Sequence, residues 1–159
     1  MIKRTTMLIS MIALMGISTP LSAGALTTDM AKYQQVYAEK AVSDINCLSI
    51  AIYSESRGEP DKGKFAVGSV IMNRVGPKFG NSACSVVYSG NQFTGIRERK
   101  VHDWSTYNKI KDMAVQIYHH EVGDVSLHAT YFHTRNIHPA WEKHMIRTVE
   151  IGNHIFFRG

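Results

Sequence analysis

The sequence predicts an α+β domain that is mainly helical and has a small antiparallel sheet near its C-terminus. Apolar residues recur at helical spacing in successive segments before residue 119, whereas from Leu127 onward they follow a strand-like pattern. Helices that come first and a sheet that comes last imply an α+β domain. The length of 159 residues and the globular composition support one domain with its own core.

Residues 1–25 have the layout of a secretory signal peptide. A short basic region, Lys3-Arg4, precedes residues 7–17, which carry no charge, and Ala-Gly-Ala at 23–25 forms a small-residue cleavage site. We therefore expect export to the periplasm or the cell exterior, with cleavage after Ala25 or Ala23. A signal-anchor that is released later has the same layout, and a buried N-terminal helix is a further alternative. We expect membrane contact only through this segment.

The charge balance of the exported part is mildly positive. Without Lys3 and Arg4 the formal net charge falls from +5 to +3, which suits a polyanionic cell envelope and equally suits plain solubility. No lysine-rich run with interleaved aromatic residues is present, so nucleic acid is not an expected partner.

Two cysteines, Cys47 and Cys84, lie in the exported part of the chain. In an oxidising compartment, a pair of cysteines without a leftover thiol usually forms one disulfide. Two buried free thiols and half of a metal site are the alternatives, although neither cysteine belongs to a C-x-x-C motif.

Two helices are predicted in the first part of the exported chain. Residues 26–45 form an N-terminal helical extension, and a core helix begins at Asn46 as its N-cap. The apolar stripe of the core helix repeats at i, i+3, i+4 and i+7 and leads to Glu55. It consists of Cys47, Ile50, Ala51 and Ser54.

Further helices and the sheet follow in order. A third helix is capped by Asp61, ends at Gly76-Pro77, and carries Asn73 and Arg74 near its end, either as capping residues or as lining of a cleft. Gly68 inside it indicates that another backbone packs closely there. Residues 84–88 form one helical turn or a short strand, and residues 94–103 form a charged loop of the kind that contacts substrates or acts as a lid.

The last helix and the strands have the clearest patterns. Ser105 is the predicted N-cap of a helix that carries an apolar stripe, and Gly123 is predicted to end this helix. Ala129, Tyr131 and Phe132 lie in a strand-like run, and residues 147–158 form two short strands hinged at Gly152-Asn153.

Glu55 is the strongest candidate for chemistry. A carboxylic acid held against an apolar wall has a raised pKa and can act as a general acid near neutral pH. The alternative is that Glu55 and Arg57 are ordinary solvated charges at a helix end. All 8 histidines lie beyond residue 101 but form no H-E-x-x-H motif or compact zinc-ligand set, and the sequence has no G-x-S-x-G and no glycine-rich phosphate loop. Carboxylate acid–base chemistry without a metal or cofactor is therefore favoured.

Three blocks of sequence carry a more specific signal. The first is IYSESRGEPDKGKFAVGSVIMNRV at 52–75, the second is CSVVY…NQF at 84–93, and the third is YFH…PAW…IGNHIFFR at 131–158. These blocks resemble, in the same order, the motifs of the spore cortex-lytic enzyme and cell-wall hydrolase family. The resemblance covers residues 47–158 and implies a lysozyme/transglycosylase-like fold. Residues 46–159 would then be the catalytic domain.

The resemblance implies an enzyme that cuts peptidoglycan glycan strands between N-acetylmuramic acid and N-acetylglucosamine, with Glu55 as the catalytic acid. Other positions match family motifs and would either bind substrate or hold the sheet; these are Gln92, Phe93, Tyr131, His133, Trp141, Asn153 and His154. Ser56 stands where the family usually has alanine, and the resulting Glu-Ser pair resembles the motif of soluble lytic transglycosylases.

The mechanism depends on whether a second carboxylate is present. A glycoside hydrolase of the ordinary kind needs one, and Glu59, Glu98 and Asp103 are the candidates. Because none is clearly placed, a lytic transglycosylase that uses Glu55 as both acid and base is favoured over a lysozyme-type muramidase. A catalytically inactive wall-binding module and a zinc-dependent amidase or peptidase are the other hypotheses. We expect a monomer, whose source is either a bacterium or a phage.

Overall fold

The computed structural model describes residues 23–89, 93, 96 and 99–159, with side chains from residue 28 onward. The expectations for the leader before residue 23, for Gln92 and for Glu98 lie outside these residues. The chain clusters into two compact units, residues 1–34 and 35–159, and the domain boundary expected at residue 46 remains a prediction. Among the described helices, none is both long enough and apolar enough to cross a membrane.

Among the described residues, four α-helices precede three strands, which confirms the predicted α+β class. The helices are α1 (Ala23–Ser56), α2 (Asp61–Asn73), α3 (Ala83–Tyr88) and α4 (Trp104–Tyr118). The strands are β1 (Tyr131–Thr134), β2 (Ile146–Ile151) and β3 (His154–Arg158), and a short 3₁₀ helix, Ala140–His144, lies between β1 and β2.

The three strands form an antiparallel sheet in the order β1-β3-β2. The hinge predicted at Gly152-Asn153 is confirmed as the turn between β2 and β3, where Ile151 pairs with His154. Gly152 has a left-handed conformation with φ 60°, and a Cβ at this position would overlap the carboxylate of Glu59. Glycine is therefore required here both by the backbone conformation and by the close approach of Glu59.

The start predicted for the core helix is wrong. The helix that carries Glu55 begins at Ala23 rather than at Asn46, so Asn46 lies in its interior and is not an N-cap. No glycine or proline occurs between Leu26 and Arg57, and a helix propagates through such a segment at little cost.

Several predicted helix ends are also displaced. Pro60 is the N-cap of α2, and Asp61 is its first residue, where the carboxylate pairs with Lys64 at 2.9 Å. Asp103, not Ser105, caps α4, because its side chain accepts a hydrogen bond from the Thr106 amide at 3.0 Å. The helices α2 and α4 end at Asn73 and Tyr118, before the glycines that were expected to stop them.

The hydrophobic core is formed by buried side chains of the helices, by Ile151 and Phe156 of the sheet, and by Phe93, Ile96 and Ala129 of the connecting segments. At Gly68 of α2, a Cβ would overlap the Cδ1 atoms of Ile117 in α4 and Ile52 in α1. The expected close packing at Gly68 is therefore present, but side chains rather than a second backbone make it. In α4, Ile110, Ala114 and Ile117 are buried, as their spacing predicts.

The predicted disulfide between Cys47 and Cys84 is present and joins α1 to α3, with a Cα–Cα distance of 5.1 Å. Residues 84–88 are helical, which decides between the two predicted alternatives. The backbone amide of Cys84 also donates to the Asp44 carboxylate at 3.0 Å. The helix that carries Glu55 is thus tied to the segment that precedes Phe93.

Candidate active site

Glu55 lies in the last turn of α1 and opens onto a cavity of about 250 Å³. The end of α2, Phe93, β1, the loop after β1 and the start of β3 form the rest of this cavity. Its lining residues are Glu55, Arg74, Phe93, Phe132, His133, Thr134, Ile137 and His154. We call it the Glu55 cavity.

The surroundings of Glu55 favour its protonated form. Burial raises the pKa of its carboxyl group, and the positive charge of Arg99 offsets this only in part, so that the pKa lies above the ordinary value. The side chain is half-buried and remains accessible from the cavity. A carboxylic acid in this position can donate a proton to a bound substrate nearer to neutral pH than a solvated glutamate can.

Arg74 is a buried cation in the same cavity, with only 5% of its surface exposed. Its Nε donates to the carbonyl oxygen of Thr130 at 2.5 Å. Its guanidinium carbon lies 5.2–5.4 Å from the ring centroids of three aromatic residues, Phe79, Phe93 and Tyr131. Burial lowers the pKa of Arg74 to about 10, so the group stays charged at neutral pH.

The two predicted roles of the residues at the end of α2 are both observed. Arg74 is the C-cap residue of α2 and also lines the Glu55 cavity. Asn73 instead holds the loop before β1, since its Nδ2 donates to the Asp124 carboxylate and to the Ala129 carbonyl oxygen, each at 3.0 Å.

Two buried histidines also line the Glu55 cavity. His133 of β1 is 7% exposed and stacks on Phe157 at 4.9 Å, while His154 of β3 is 4% exposed and meets Phe132 edge-on at 5.2 Å. Burial lowers the pKa of His154, although the charge of Glu59 works in the other direction. Within the described part of the chain, His133 Nε2 and His154 Nδ1 have no hydrogen-bond partner.

The structure places the other described site residues in three different surroundings. Phe93, His133 and His154 line the cavity with Glu55. Tyr131 and Trp141 do not line the cavity; their ring centroids are 5.4 Å apart, and Trp141 packs on the lining residue His133 at 5.5 Å. Asn153 lies in the turn between β2 and β3 and contacts Glu59.

Two of the three candidate second carboxylates can be located, and neither lines the Glu55 cavity. Glu59 accepts hydrogen bonds from the Asn153 backbone amide at 2.8 Å and from its side-chain amide at 3.1 Å. Burial alone would raise the pKa of Glu59, but these hydrogen bonds outweigh it and lower the pKa. Both carboxylate oxygens of Asp103 accept from Thr106, which lowers the pKa of Asp103.

The 8 histidines of the sequence suggest a zinc site as an alternative. Among the described residues, no group of three or more His, Cys, Asp or Glu side chains is arranged so that it could hold a metal ion.

The sequence model of the Cell Wall Hydrolase family matches residues 58–157. The chain belongs to this family. The resemblance inferred from the three sequence blocks is thereby confirmed. The match begins three residues after Glu55 and does not include it, whereas the structure places Glu55 in the lining of the cavity.

Curated relatives include spore cortex-lytic enzymes. That of Bacillus subtilis (strain 168) is 38% identical over 61 residues, which is 38% of this chain and 20% of that protein. That of Halalkalibacterium halodurans is 33% identical over 72 residues, which is 45% of this chain and 22% of that protein. The chain thus matches only about a fifth of the length of these relatives.

Solved structures of the family are also similar. The catalytic domain of the germination-specific lytic transglycosylase SleB from Bacillus anthracis has a TM-score of 0.61 and 31% identity, covering 72% of this chain and 93% of that domain. The catalytic domain of the Bacillus cereus SleB protein has a TM-score of 0.58 and 28% identity, with 72% and 89% coverage. The predicted lysozyme/transglycosylase-like fold is confirmed by this similarity.

Proposed function

We propose that this member of the cell wall hydrolase family is an exported enzyme that cleaves peptidoglycan glycan strands between N-acetylmuramic acid and N-acetylglucosamine. The observation that carries the proposal is Glu55, a half-buried carboxyl group with a raised pKa that opens onto a cavity lined by Arg74, His133 and His154. The similarity to a domain described as a lytic transglycosylase supports the same reaction class.

In the proposed reaction Glu55 acts first as an acid and then as a base. Its proton passes to the glycosidic oxygen as the bond to C1 of muramic acid breaks. The C6 hydroxyl oxygen of the same muramic acid then bonds to C1, and its proton passes to the Glu55 carboxylate. The product ends in 1,6-anhydro-muramic acid, and Glu55 regains the proton that it gave.

This route is favoured over a muramidase because the second carboxylates that can be located are already engaged. Both oxygens of Glu59 are held by Asn153, and both oxygens of Asp103 are held by Thr106. A general base must have a free oxygen within reach of the water that it activates. A lytic transglycosylase needs no second carboxylate, because Glu55 alone acts first as the acid and then as the base.

Arg74 and the histidines would position the substrate. A guanidinium group is a hydrogen-bond donor only, and Arg74 keeps its charge at neutral pH because its pKa, although lowered by burial, is still about 10. The acetamido and ether oxygens of an amino sugar are acceptors that match such donors. His133 and His154 shape the cavity surface beside Glu55, while His133 Nε2 and His154 Nδ1 are themselves buried, and His133 Nε2 lies 3.6 Å from the Glu142 carboxylate.

Analysis of the products from purified sacculi tests the proposal. We expect soluble fragments that end in 1,6-anhydro-muramic acid, identified by mass spectrometry. Reducing muramic acid ends would instead indicate hydrolysis by a muramidase. Binding without release of any fragment would indicate an inactive wall-binding module, and release of free stem peptides would indicate an amidase or peptidase.

Replacing Glu59 with glutamine should separate the two glycosidase mechanisms. We expect kcat/KM on glycan strands to stay within about threefold of wild type, because Glu59 holds the turn at Asn153 rather than reacting with the sugar. The free energy of unfolding should fall by about 1 kcal/mol as hydrogen bonds to a charged acceptor are weakened.

Asp61→Asn is the matched control for this variant, since Asp61 is a nearby, exposed carboxylate that pairs with Lys64. Kinetics on soluble glycan strands and urea unfolding measure the two effects. A folded Glu59→Gln protein with at least a hundredfold lower kcat would mean that Glu59 is the second carboxylate of a muramidase.

A further inference from the structure

A second cavity, of about 370 Å³, adjoins the C-terminal end of α1, immediately after Glu55. It is lined by Tyr53, Arg57, Gly58, Arg99, Lys100, His102, Asp103 and Thr106. None of these residues lines the Glu55 cavity, and nothing in the proposed chemistry uses them. We call it the basic cavity.

The positive charges of the basic cavity are not neutralised within the described part of the chain. Arg57, Arg99 and Lys100 have no carboxylate oxygen within 4.0 Å there. The carboxylate that lines the cavity, Asp103, caps α4 and is engaged by Thr106 through both of its oxygens. A concave surface with unpaired charges of one sign concentrates the electrostatic potential and attracts ions of the opposite sign.

Tyr53 is a buried lining residue of the basic cavity, with only 2% of its surface exposed. Its hydroxyl oxygen accepts hydrogen bonds from the backbone amides of His102 at 3.3 Å and Asp103 at 3.1 Å. The guanidinium carbon of Arg57 lies 5.5 Å from the centroid of the Tyr53 ring. One buried side chain therefore positions both walls of the cavity, which lowers the entropy cost of binding a ligand.

We propose that the basic cavity binds the carboxylates of the peptide stem attached to muramic acid. This inference rests on the proposed function. In peptidoglycan the stem is attached through the lactyl group of the muramic acid whose C1 is the point of cleavage. A stem on that sugar must lie close to Glu55, and the basic cavity is the cationic surface next to it. Stem residues carry several carboxylates, and arginine guanidinium groups match carboxylates in shape and charge.

Electrostatic coupling between the two cavities supports this assignment. The groups that surround Glu55 are Arg74 at the end of α2, His133 of β1, His154 of β3 and Arg99 of the basic cavity. Burial is the larger influence on the pKa of Glu55, and Arg99 acts against it. A carboxylate bound at Arg99 would offset that positive charge and so favour the protonated Glu55 that the first step needs.

The test compares glycan strands that retain their stems with strands from the same sacculi whose stems have been removed by an amidase. We expect wild-type kcat/KM to be about tenfold higher on the stem-bearing strands, since two exposed charge pairs contribute roughly that factor together. In Arg57→Gln/Arg99→Gln this ratio should fall to within about twofold of one. Lys62→Gln/Lys111→Gln removes the same charge at exposed positions outside both cavities and should keep the wild-type ratio.

A second measurement does not depend on glycan cleavage. The Glu55→Gln protein is titrated with a free stem tripeptide and, separately, with inorganic phosphate. We expect saturable binding of the tripeptide, weakened about tenfold when Arg57→Gln/Arg99→Gln is added and weakened by salt. Equal binding of phosphate, or no binding of the tripeptide, would overturn the proposal, as would a wild-type kinetic ratio of one. If no glycan is cleaved, the proposed function fails and this titration still decides on the basic cavity.

Discussion

Glu55→Gln is expected to lower kcat on glycan strands by about 10²- to 10⁴-fold, the usual contribution of a general acid–base group. This corresponds to about 3–6 kcal/mol of transition-state stabilisation. Glutamine keeps the shape of the side chain but has no proton to give to the leaving oxygen. Single-turnover kinetics on soluble glycan strands would measure the loss without interference from product release.

The pH dependence gives a second readout of the same residue. The reaction needs protonated Glu55, so wild-type activity should decrease as the pH rises through the Glu55 pKa, which burial places above the ordinary carboxyl value. The residual activity of Glu55→Gln should lack this decrease.

Glu39→Gln is the matched control, because it makes the same substitution at an exposed position of α1. It should keep wild-type kcat and the wild-type pH profile. Full activity in a folded Glu55→Gln protein would remove the assignment of Glu55, and with it the proposed mechanism.

Local sequence patterns correctly predicted those helices and turns that are determined by residues close together in the chain. The apolar stripe of α4 and the turn at Gly152-Asn153 each arise from residues within a few positions of one another. Helix ends were less well predicted because the competing caps are close together. Asp103 and Ser105 are both good N-cap residues, and the hydrogen bonds to Thr106 decide between them.

The candidate site shows where sequence reasoning reaches its limit. Glu55 could be selected because its helical position and its motif agree. The environment of Arg74 could not be predicted, since Phe79, Phe93 and Tyr131 come from separate segments that meet only in the folded chain. The same applies to Glu59, whose partner Asn153 lies 94 residues further along the chain. These long-range contacts are determined by tertiary packing. The spacing of residues along the chain gives no information about them.

Removing the disulfide is expected to have the largest effect on stability. In Cys47→Ser/Cys84→Ser the free energy of unfolding should fall by roughly 3–4 kcal/mol, because the crosslink closes a loop with a sequence separation of 37 and restricts the unfolded chain. For a domain of this size the midpoint of thermal unfolding should fall by about 10 °C or more. Urea and thermal unfolding, followed by circular dichroism, would measure both quantities.

Reduction of the wild-type protein provides the control for this variant. Dithiothreitol should destabilise wild type to the level of Cys47→Ser/Cys84→Ser and should leave the variant unchanged. Equal unfolding midpoints for oxidised wild type and the variant would contradict the prediction.

At temperatures well below the unfolding midpoint, the variant should still cleave glycan strands, because the crosslink acts mainly on the unfolded state. In the folded variant, the hydrogen bond from the Cys84 amide to Asp44 and the buried residues of α1 still hold α3 in place. A stability loss without a matching loss of activity would therefore distinguish a structural disulfide from one that shapes the Glu55 cavity.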